Sequence, residues 1–250
     1  MIYKDRGIVI KQVDFGEADR ILSILTANHG KISAIAKGVR RLKSRKATAC
    51  GLFVESKFVF VEGRSLDIIT EAESIRSYDS IKENLERVSV LFYVSELLDR
   101  LVEGDDELNG WAVFELLSDF LQLVERNDSD SMFNLVRGFE AKLLSLMGLS
   151  PELHNCVACK KKLENGSPLF FDLNSGGIRC EVCNRKTVEG SVSISPDSIK
   201  SLRFLYEQDL QNAPMLQLND SLRAEVKKLN QSYLEYFHGF QIKSKGIYKI

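Results

Sequence analysis

The hydrophobic positions change period once along the chain. Up to about residue 76 they come in short runs: Ile8 to Val13, Arg20 to Thr26, and Lys31 to Lys37, where Ile32, Ala34 and Ala36 alternate with Lys31, Ser33 and Ile35. Phe53 to Val61 alternates less cleanly, and Gly63-Arg64 separates it from Leu66 to Ala72. A turn at Asn28-His29-Gly30 joins the second and third runs. Five short segments of this kind, with glycine-containing turns and no long helix between them, predict a small antiparallel barrel.

From about residue 80 the spacing becomes helical. Leu85, Val88, Leu91, Phe92 and Leu98 form one stripe, Phe114, Leu117, Leu121 and Val124 a second, and Phe133, Val136, Leu143, Leu144 and Met147 a third. Gly148 and Pro151 close that run as C-terminal cap and stop. Helical spacing returns after Ser195-Pro196-Asp197, which reads as an N-cap, a proline at the first helical position and an acid in the first turn. A last helix carries Leu222, Val226, Leu229, Tyr233 and Phe237 and ends at Gly239. The predicted class is α+β and multidomain: a β-rich domain at 1–78, a helical domain at 79–150 and 191–240, a small cysteine-containing module at 151–190 inserted in it, and a basic tail at 241–250.

Composition excludes disorder and a disulfide scaffold, because 44% of the 250 residues are hydrophobic and only five are cysteine. No segment has the roughly 20 apolar residues needed to span a bilayer, so no membrane partner is expected. Met-Ile-Tyr-Lys-Asp-Arg-Gly lacks the apolar core of a signal peptide, and a cytoplasmic location is expected. The net charge of −1 conceals an asymmetry. Residues 1–76 hold 14 Lys/Arg against 9 Asp/Glu, residues 77–150 hold 6 against 15, and residues 151–250 hold 14 against 11. The acidic stretch Glu103 to Glu107 is read as a solvated loop.

Cys156-Val-Ala-Cys159 and Cys180-Glu-Val-Cys183 are two CxxC pairs with 20 residues between them. This spacing predicts a single structural Zn2+ held by Cys156, Cys159, Cys180 and Cys183, each pair supplying two thiolates from a tight knuckle. Neither pair opens a helix within a βαβ unit, which argues against a redox dithiol. Four thiolates complete the shell, so His154 is expected to stand beside the site as a surface residue and Cys50 to be a buried small hydrophobe. His29 and His238 are assigned no role.

The positive excess is concentrated between Lys37 and Lys46, where Lys37, Arg40, Arg41, Lys43, Arg45 and Lys46 are cationic and no residue is acidic. Such a loop leaving a barrel strand suits a phosphate backbone. Phe15, Phe53, Phe58 and Phe60 are the available base-stacking aromatics, although alternation sends most of them into the core. His29-Gly30-Lys31-Ile32 lacks both ends of a phosphate-binding GxxxxGK[ST] loop, and no GxSxG, HExxH or GxGxxG is present. No catalytic residue is assigned, and no enzymatic activity is expected.

Phe15-Gly-Glu-Ala-Asp-Arg-Ile-Leu, Thr26 to Lys31, Ala36-Lys-Gly-Val-Arg-Arg-Leu-Lys-Ser44, Leu146-Met-Gly-Leu-Ser-Pro151 and the four cysteines together resemble the RecO family of bacterial DNA repair proteins. The resemblance runs in order along essentially the whole chain. Gly-Glu-x-Asp, Lys-Gly-x-Arg-Arg and the cysteines are its most specific parts. It implies an N-terminal OB-fold, a helical domain and a zinc-binding module. It also implies a recombination mediator that binds single- and double-stranded DNA and anneals complementary strands. Such a mediator works with RecR to load RecA onto DNA coated with single-strand binding protein, whose acidic C-terminal tail it contacts. The residues Lys37 to Lys46 match the family's DNA-contacting loop. Arg100, Arg126 and Arg137 are candidates for a basic groove that takes the tail. The competing reading, from another functional class, is a zinc-stapled adaptor whose basic loop contacts RNA or protein.

Overall fold

A computed structural model of the chain describes residues 1–102, 107–164, 166–186, 191–239, 241, 242 and 244. Five strands, β1 (Ile2–Phe15), β2 (Asp19–Thr26), β3 (Lys31–Ala36), β4 (Val54–Val61) and β5 (Asp67–Ser77), form a closed barrel in the order β1-β2-β3-β5-β4. The pairings are antiparallel except that of β3 with β5, which is parallel. One long strand makes closure possible. The first half of β1 pairs with β4, from Ile2 opposite Val61 to Ile8 opposite Glu55. Its second half pairs with β2, and a bulge between Val9 and Lys11 turns it from one neighbour to the other.

Strand β1 starts at Ile2, ahead of the apolar run at Ile8 from which it is predicted, because its first half breaks the alternation of apolar and polar residues. Lys4 and Arg6 are exposed while Asp5 is buried. The Asp5 carboxylate accepts hydrogen bonds from the Asn28 backbone N–H at 3.0 Å and the Asn28 side-chain amide at 2.7 Å, and it pairs with His29 Nδ1 at 2.6 Å. A polar residue at an inward position thus clips the turn between β2 and β3 onto β1. The barrel interior is filled by Val9, Leu22, Ile24, Ala34, Ala36, Phe58, Phe60 and Ile69, joined by Val39 and Cys50 from the segment between β3 and β4.

After the short turn α1 (Asp79–Lys82), helix α2 (Leu85–Leu101) begins at Asn84, whose side chain accepts from the Arg87 N–H at 3.1 Å. Helix α3 (Glu107–Arg126) follows. Both helices lie against the barrel. Lys11 pairs with Asp99 at 2.6 Å, Arg6 with Glu115 at 3.3 Å and Arg76 with Glu125 at 2.9 Å. A side chain at Gly110 would stand 3.0 Å from the Gly30 Cα, a contact tighter than most, so glycine suits that close approach. Residues 1–126 accordingly form one compact unit, to which Ser244 also belongs through its bond to Glu96.

Residues 127–242 form the second unit. It begins with α4 (Ser129–Leu146), capped by Asp128 and ended by Gly148 in the left-handed region at φ 73°. Strands β6 (Leu169–Asp172) and β7 (Gly177–Cys180) make a hairpin, followed by α5 (Glu181–Asn184). Strand β8 (Ser191–Ile194) pairs with β6 on its other edge, so the three-stranded sheet reaches past residue 190. Helix α6 (Pro196–Glu207) starts at Ser195 with the proline at its first turn, and after a 3-10 turn at Leu210–Met215 helix α7 (Asp220–His238) ends at Gly239, φ 64°.

Two of the three arginines put forward for a basic groove are committed elsewhere. Arg137, on α4, is completely buried and pairs with Glu140 at 2.8 Å, so it cannot meet a ligand at the surface. Arg100 pairs with Glu96 at 3.1 Å. Helical spacing placed Arg137 on the chain but not on a face: it lies among apolar positions of α4, where its ion pair and its place over the Phe133 ring help to offset burial. The acidic stretch Glu103 to Asp106 and Lys243, Lys245 and Lys249 of the tail lie outside the described residues. No helix among the described residues is long and apolar enough to cross a membrane. Asp5→Ala is expected to lower the unfolding free energy by about 2 kcal/mol by stranding the Asn28 and His29 donors; urea denaturation followed by circular dichroism checks this.

Candidate nucleic-acid interface and metal centre

The segment from Lys37 to Phe53 joins β3 to β4 and is ordered by contacts made at both of its ends. At its entry Gly38 lies at φ 67°, and its N–H donates to Asp19 Oδ1 at 2.7 Å. The next residue, Val39, is buried in the barrel. The Arg40 N–H donates to the Ala18 carbonyl at 2.9 Å, and its guanidinium reaches the Gly16 carbonyl at 3.3 Å and the Asp14 carboxylate at 3.4 Å. At the exit Ala49 and Cys50 are buried, the Cys50 carbonyl accepts from Gln12 at 2.6 Å, and the Ala49 carbonyl accepts from Ser56 at 2.8 Å. Burial pushes the Cys50 thiol up to about 11, which leaves it a neutral packing residue.

Between these anchors the six cations divide by role. Lys46 is half-buried, and its ammonium donates to the Ile69 carbonyl at 2.8 Å. Arg40 is exposed but held by Asp14, which also pairs with Arg20 at 2.8 Å. The hydrogen bond from Arg20, aided by the Arg40 charge, holds the Asp14 carboxyl below its ordinary range. Lys37, Arg41, Lys43 and Arg45 are exposed and have no acidic partner among the described residues. Four cations on an anchored loop, with Asp14 already paired to Arg20 and Arg40, form a surface suited to a polyanion.

The aromatics separate as sharply. Phe53, Phe58 and Phe60 are buried in the barrel, whereas Phe15 is 52% exposed. Strand β4 sends Phe58 and Phe60 inward at alternate positions, which removes them as stacking platforms. Phe15 ends β1 one residue before Gly16, whose carbonyl holds Arg40, so the one exposed ring of the four is carried next to the turn that anchors the cationic loop. Residue types alone do not show that Asp14, Asp19, Gly16 and Ala18 would support the loop. The signal available was the pairing of Gly16-Glu-Ala-Asp19 with Lys37-Gly-Val-Arg-Arg41 as two specific segments, and in the fold these two segments bond to each other.

In the second unit, the Sγ atoms of Cys156, Cys159, Cys180 and Cys183 all lie within 4.8 Å of one another, with Cys159 and Cys180 4.0 Å apart. A tetrahedral four-sulfur shell at about 2.3 Å has sulfur–sulfur edges of about 3.8 Å, so these thiols need only a small contraction to close on a metal ion. The first knuckle is shaped by Lys160 at φ 61° and by the Lys160 N–H donating to the Cys156 carbonyl at 2.8 Å. In the second, Cys180 ends β7 and caps α5, which carries Cys183. The knuckles are joined by backbone bonds, Val157 N–H to the Ile178 carbonyl and Ile178 N–H to the Glu152 carbonyl, both at 2.9 Å. A Cβ at Gly177 would come within 2.4 Å of the Glu152 carbonyl, which makes glycine obligatory there.

Burial pushes the Cys156 thiol up, but N–H groups of Cys159, Cys180 and Ala158 aimed at its sulfur outweigh that and bring it down to about 6. Hydrogen bonding to Cys180, followed by burial, pushes Cys183 up to about 12. Four thiols this close cannot all ionise unaided, and a divalent cation held there would supply the missing positive charge. His154 stands outside the cluster; its Nε2 lies 2.6 Å from Glu207 at an exposed position. The module is fastened to its own unit by Phe171 against Tyr233, ring centroids 5.4 Å apart, and by Arg203 donating to the Leu153 carbonyl at 3.0 Å.

Comparison with known proteins matches two family models, described as Recombination protein O N terminal over residues 1–78 and Recombination protein O C terminal over residues 82–246. Similar curated proteins include the DNA repair protein RecO of Halalkalibacterium halodurans, 31% identical over 245 residues that span 98% of this chain and 93% of the relative. The DNA repair protein RecO of Desulforamulus reducens is 34% identical over 239 residues, covering 94% and 90% of the two chains. That of Bacillus subtilis is 32% identical over 245 residues, covering 98% and 93%.

For the cysteine cluster, metal analysis of the purified chain is expected to find about one bound ion per molecule, absent from Cys159→Ser. Chelation is expected to accelerate amide hydrogen exchange across residues 152–186 and to leave the barrel strands protected. Uniform exchange throughout, with or without chelator, would contradict a structural metal.

Proposed function

The chain belongs to the recombination protein O family, and from that premise we propose that it is a DNA repair protein of the mediator kind. It binds single- and double-stranded DNA, anneals complementary strands and helps load RecA onto DNA coated with single-strand binding protein, without a catalytic step of its own. The observation that carries the reading is the anchored loop with Lys37, Arg41, Lys43 and Arg45 exposed and without acidic partners among the described residues.

We read the barrel as an OB-fold, on the strength of its five strands closing in the order β1-β2-β3-β5-β4 with β3 and β5 parallel. OB-folds hold single strands by combining a cationic path for the backbone with aromatic surfaces on which bases stack, and the loop and Phe15 provide both elements. The four loop cations follow phosphates; Phe15 takes a base. The four-thiolate cluster is assigned to Zn2+, whose preference for tetrahedral sulfur sites suits this donor set. It holds together a module of some 40 residues that is too small to build a sufficient core. The family likeness further supports RecR and the acidic C-terminal tail of single-strand binding protein as partners.

Binding of a labelled single-stranded oligonucleotide, measured by anisotropy over a range of salt concentrations, tests the site. Arg41→Ala/Arg45→Ala is expected to weaken binding and to reduce the slope of log K against log salt by about 1.4, or about 0.7 for each phosphate that is no longer neutralised. Phe15→Ala is expected to weaken binding by about 1–3 kcal/mol with the slope unchanged, as stacking carries no counterion. An unchanged slope in the double variant would remove the loop from the interface. Acceleration of annealing between complementary strands precoated with single-strand binding protein tests the mediator role, and no acceleration would contradict it.

A further inference from the structure

Leu42 is the most exposed of the large hydrophobic residues among the described residues, at 108% of its reference area, and it stands at the centre of the cationic loop. Its position is held by the backbone. The Arg41 N–H bonds to the Gly38 carbonyl at 3.2 Å and the Ser44 N–H to the Arg41 carbonyl at 2.9 Å, so two successive turns share Arg41. Leu42 and Lys43 are the two central residues of the second turn, the points farthest from its closing bond. The turn is carried on a segment whose ends, Val39 and Cys50, are embedded in the barrel core. The result is an apolar side chain at the tip of a supported turn, with an exposed cation on either side in Arg41 and Lys43.

An isolated leucine in water gains nothing from its exposure, and single exposed leucines are commonplace. What sets this one apart is its combination of complete exposure, a hydrogen-bonded turn and two flanking cations free of acids. Those are the elements by which a protein opens a base step: the cations fix the phosphates on each side, and an apolar wedge enters between bases, partly unstacking them at a cost of a few kcal/mol. We propose that Leu42 is a wedge that enters a base step of duplex DNA while Arg41 and Lys43 hold the flanking phosphates. The ligand is a DNA duplex or the duplex edge of a junction, and the action is local unstacking. Phe15 offers a surface for a base released from the stack. The inference rests on the reading of the loop as a DNA-binding surface and adds to it a function that charge alone does not supply.

The experiment uses the full chain and a duplex carrying 2-aminopurine at a central position, whose emission rises when the base is unstacked. Binding is followed separately by anisotropy of the same duplex. Wild type at saturation is expected to raise the emission. Leu42→Ala and Leu42→Ser are expected to bind within about twofold of wild type with the same salt slope, since the phosphate contacts persist, yet to lose most of the rise. Leu42→Phe, which keeps an apolar wedge, is expected to retain it. The Leu42 side chain is fully exposed, so these variants are expected to melt with wild type. Wild-type binding without a rise in emission, or a full rise in Leu42→Ala, overturns the wedge and leaves the DNA-binding loop standing. Failure of wild type to bind the duplex overturns both.

Discussion

The cationic surface of the first unit depends on one set of contacts, those between the turn after β1 and the segment after β3. Asp19 takes the Gly38 N–H, the Ala18 carbonyl takes the Arg40 N–H, and the Gly16 carbonyl with Asp14 takes the Arg40 guanidinium. A 17-residue connection carrying six cations and no acid in its first ten residues would otherwise repel itself into a mobile coil. Two buried residues complete the restraint. Val39 and Cys50 enter the barrel core at either end of the loop, so that ordering the loop and filling the barrel are parts of the same packing. Arg40 and Lys46 are thereby used as struts, and the four remaining cations are presented to solvent from a fixed base.

The second unit solves a comparable problem with different chemistry. Its inserted module has short strands of four residues and a helix of four, too little apolar surface to order itself. Four sulfurs gathered within 4.8 Å could hold a metal ion, whose coordination shell would replace a core. The hairpin of β6 and β7 and the close approach at Gly177 set the two knuckles in register, and the T-shaped contact of Phe171 with Tyr233 fastens the module to α7. In both units a segment rich in polar residues is made rigid by being tied to an element that folds for its own reasons.

Much of this was legible in the residues. The change from short runs to helical spacing near residue 80, the capping signals at Gly148, Ser195-Pro196 and Gly239, and the gathering of Cys156, Cys159, Cys180 and Cys183 all follow from local chemistry, which a sequence records directly. What was not legible depends on partners distant in the chain. Strand β1 begins at Ile2 because it pairs with β4 from Ile2 opposite Val61, and its Asp5 is satisfied by Asn28 and His29 in the neighbouring turn; no periodicity contains those bonds. The four phenylalanines looked equivalent until β4 was seen to bury Phe58 and Phe60 while Phe15 stood exposed at the end of β1. Likewise Arg137 resembles any surface cation on a helix, and only its complete burial beside Glu140 shows that it serves the core.

Whether DNA lies on the loop and on Phe15 is tested most directly by photochemical crosslinking. A single-stranded oligonucleotide substituted throughout with 5-bromodeoxyuridine is crosslinked by light to the intact chain and the adducts are mapped by peptide mass spectrometry. Crosslinks concentrated at Phe15 and in the peptides spanning Lys37 to Lys46 are the expected result. Crosslinks confined to residues 127–242, with the loop peptides unmodified, would contradict it.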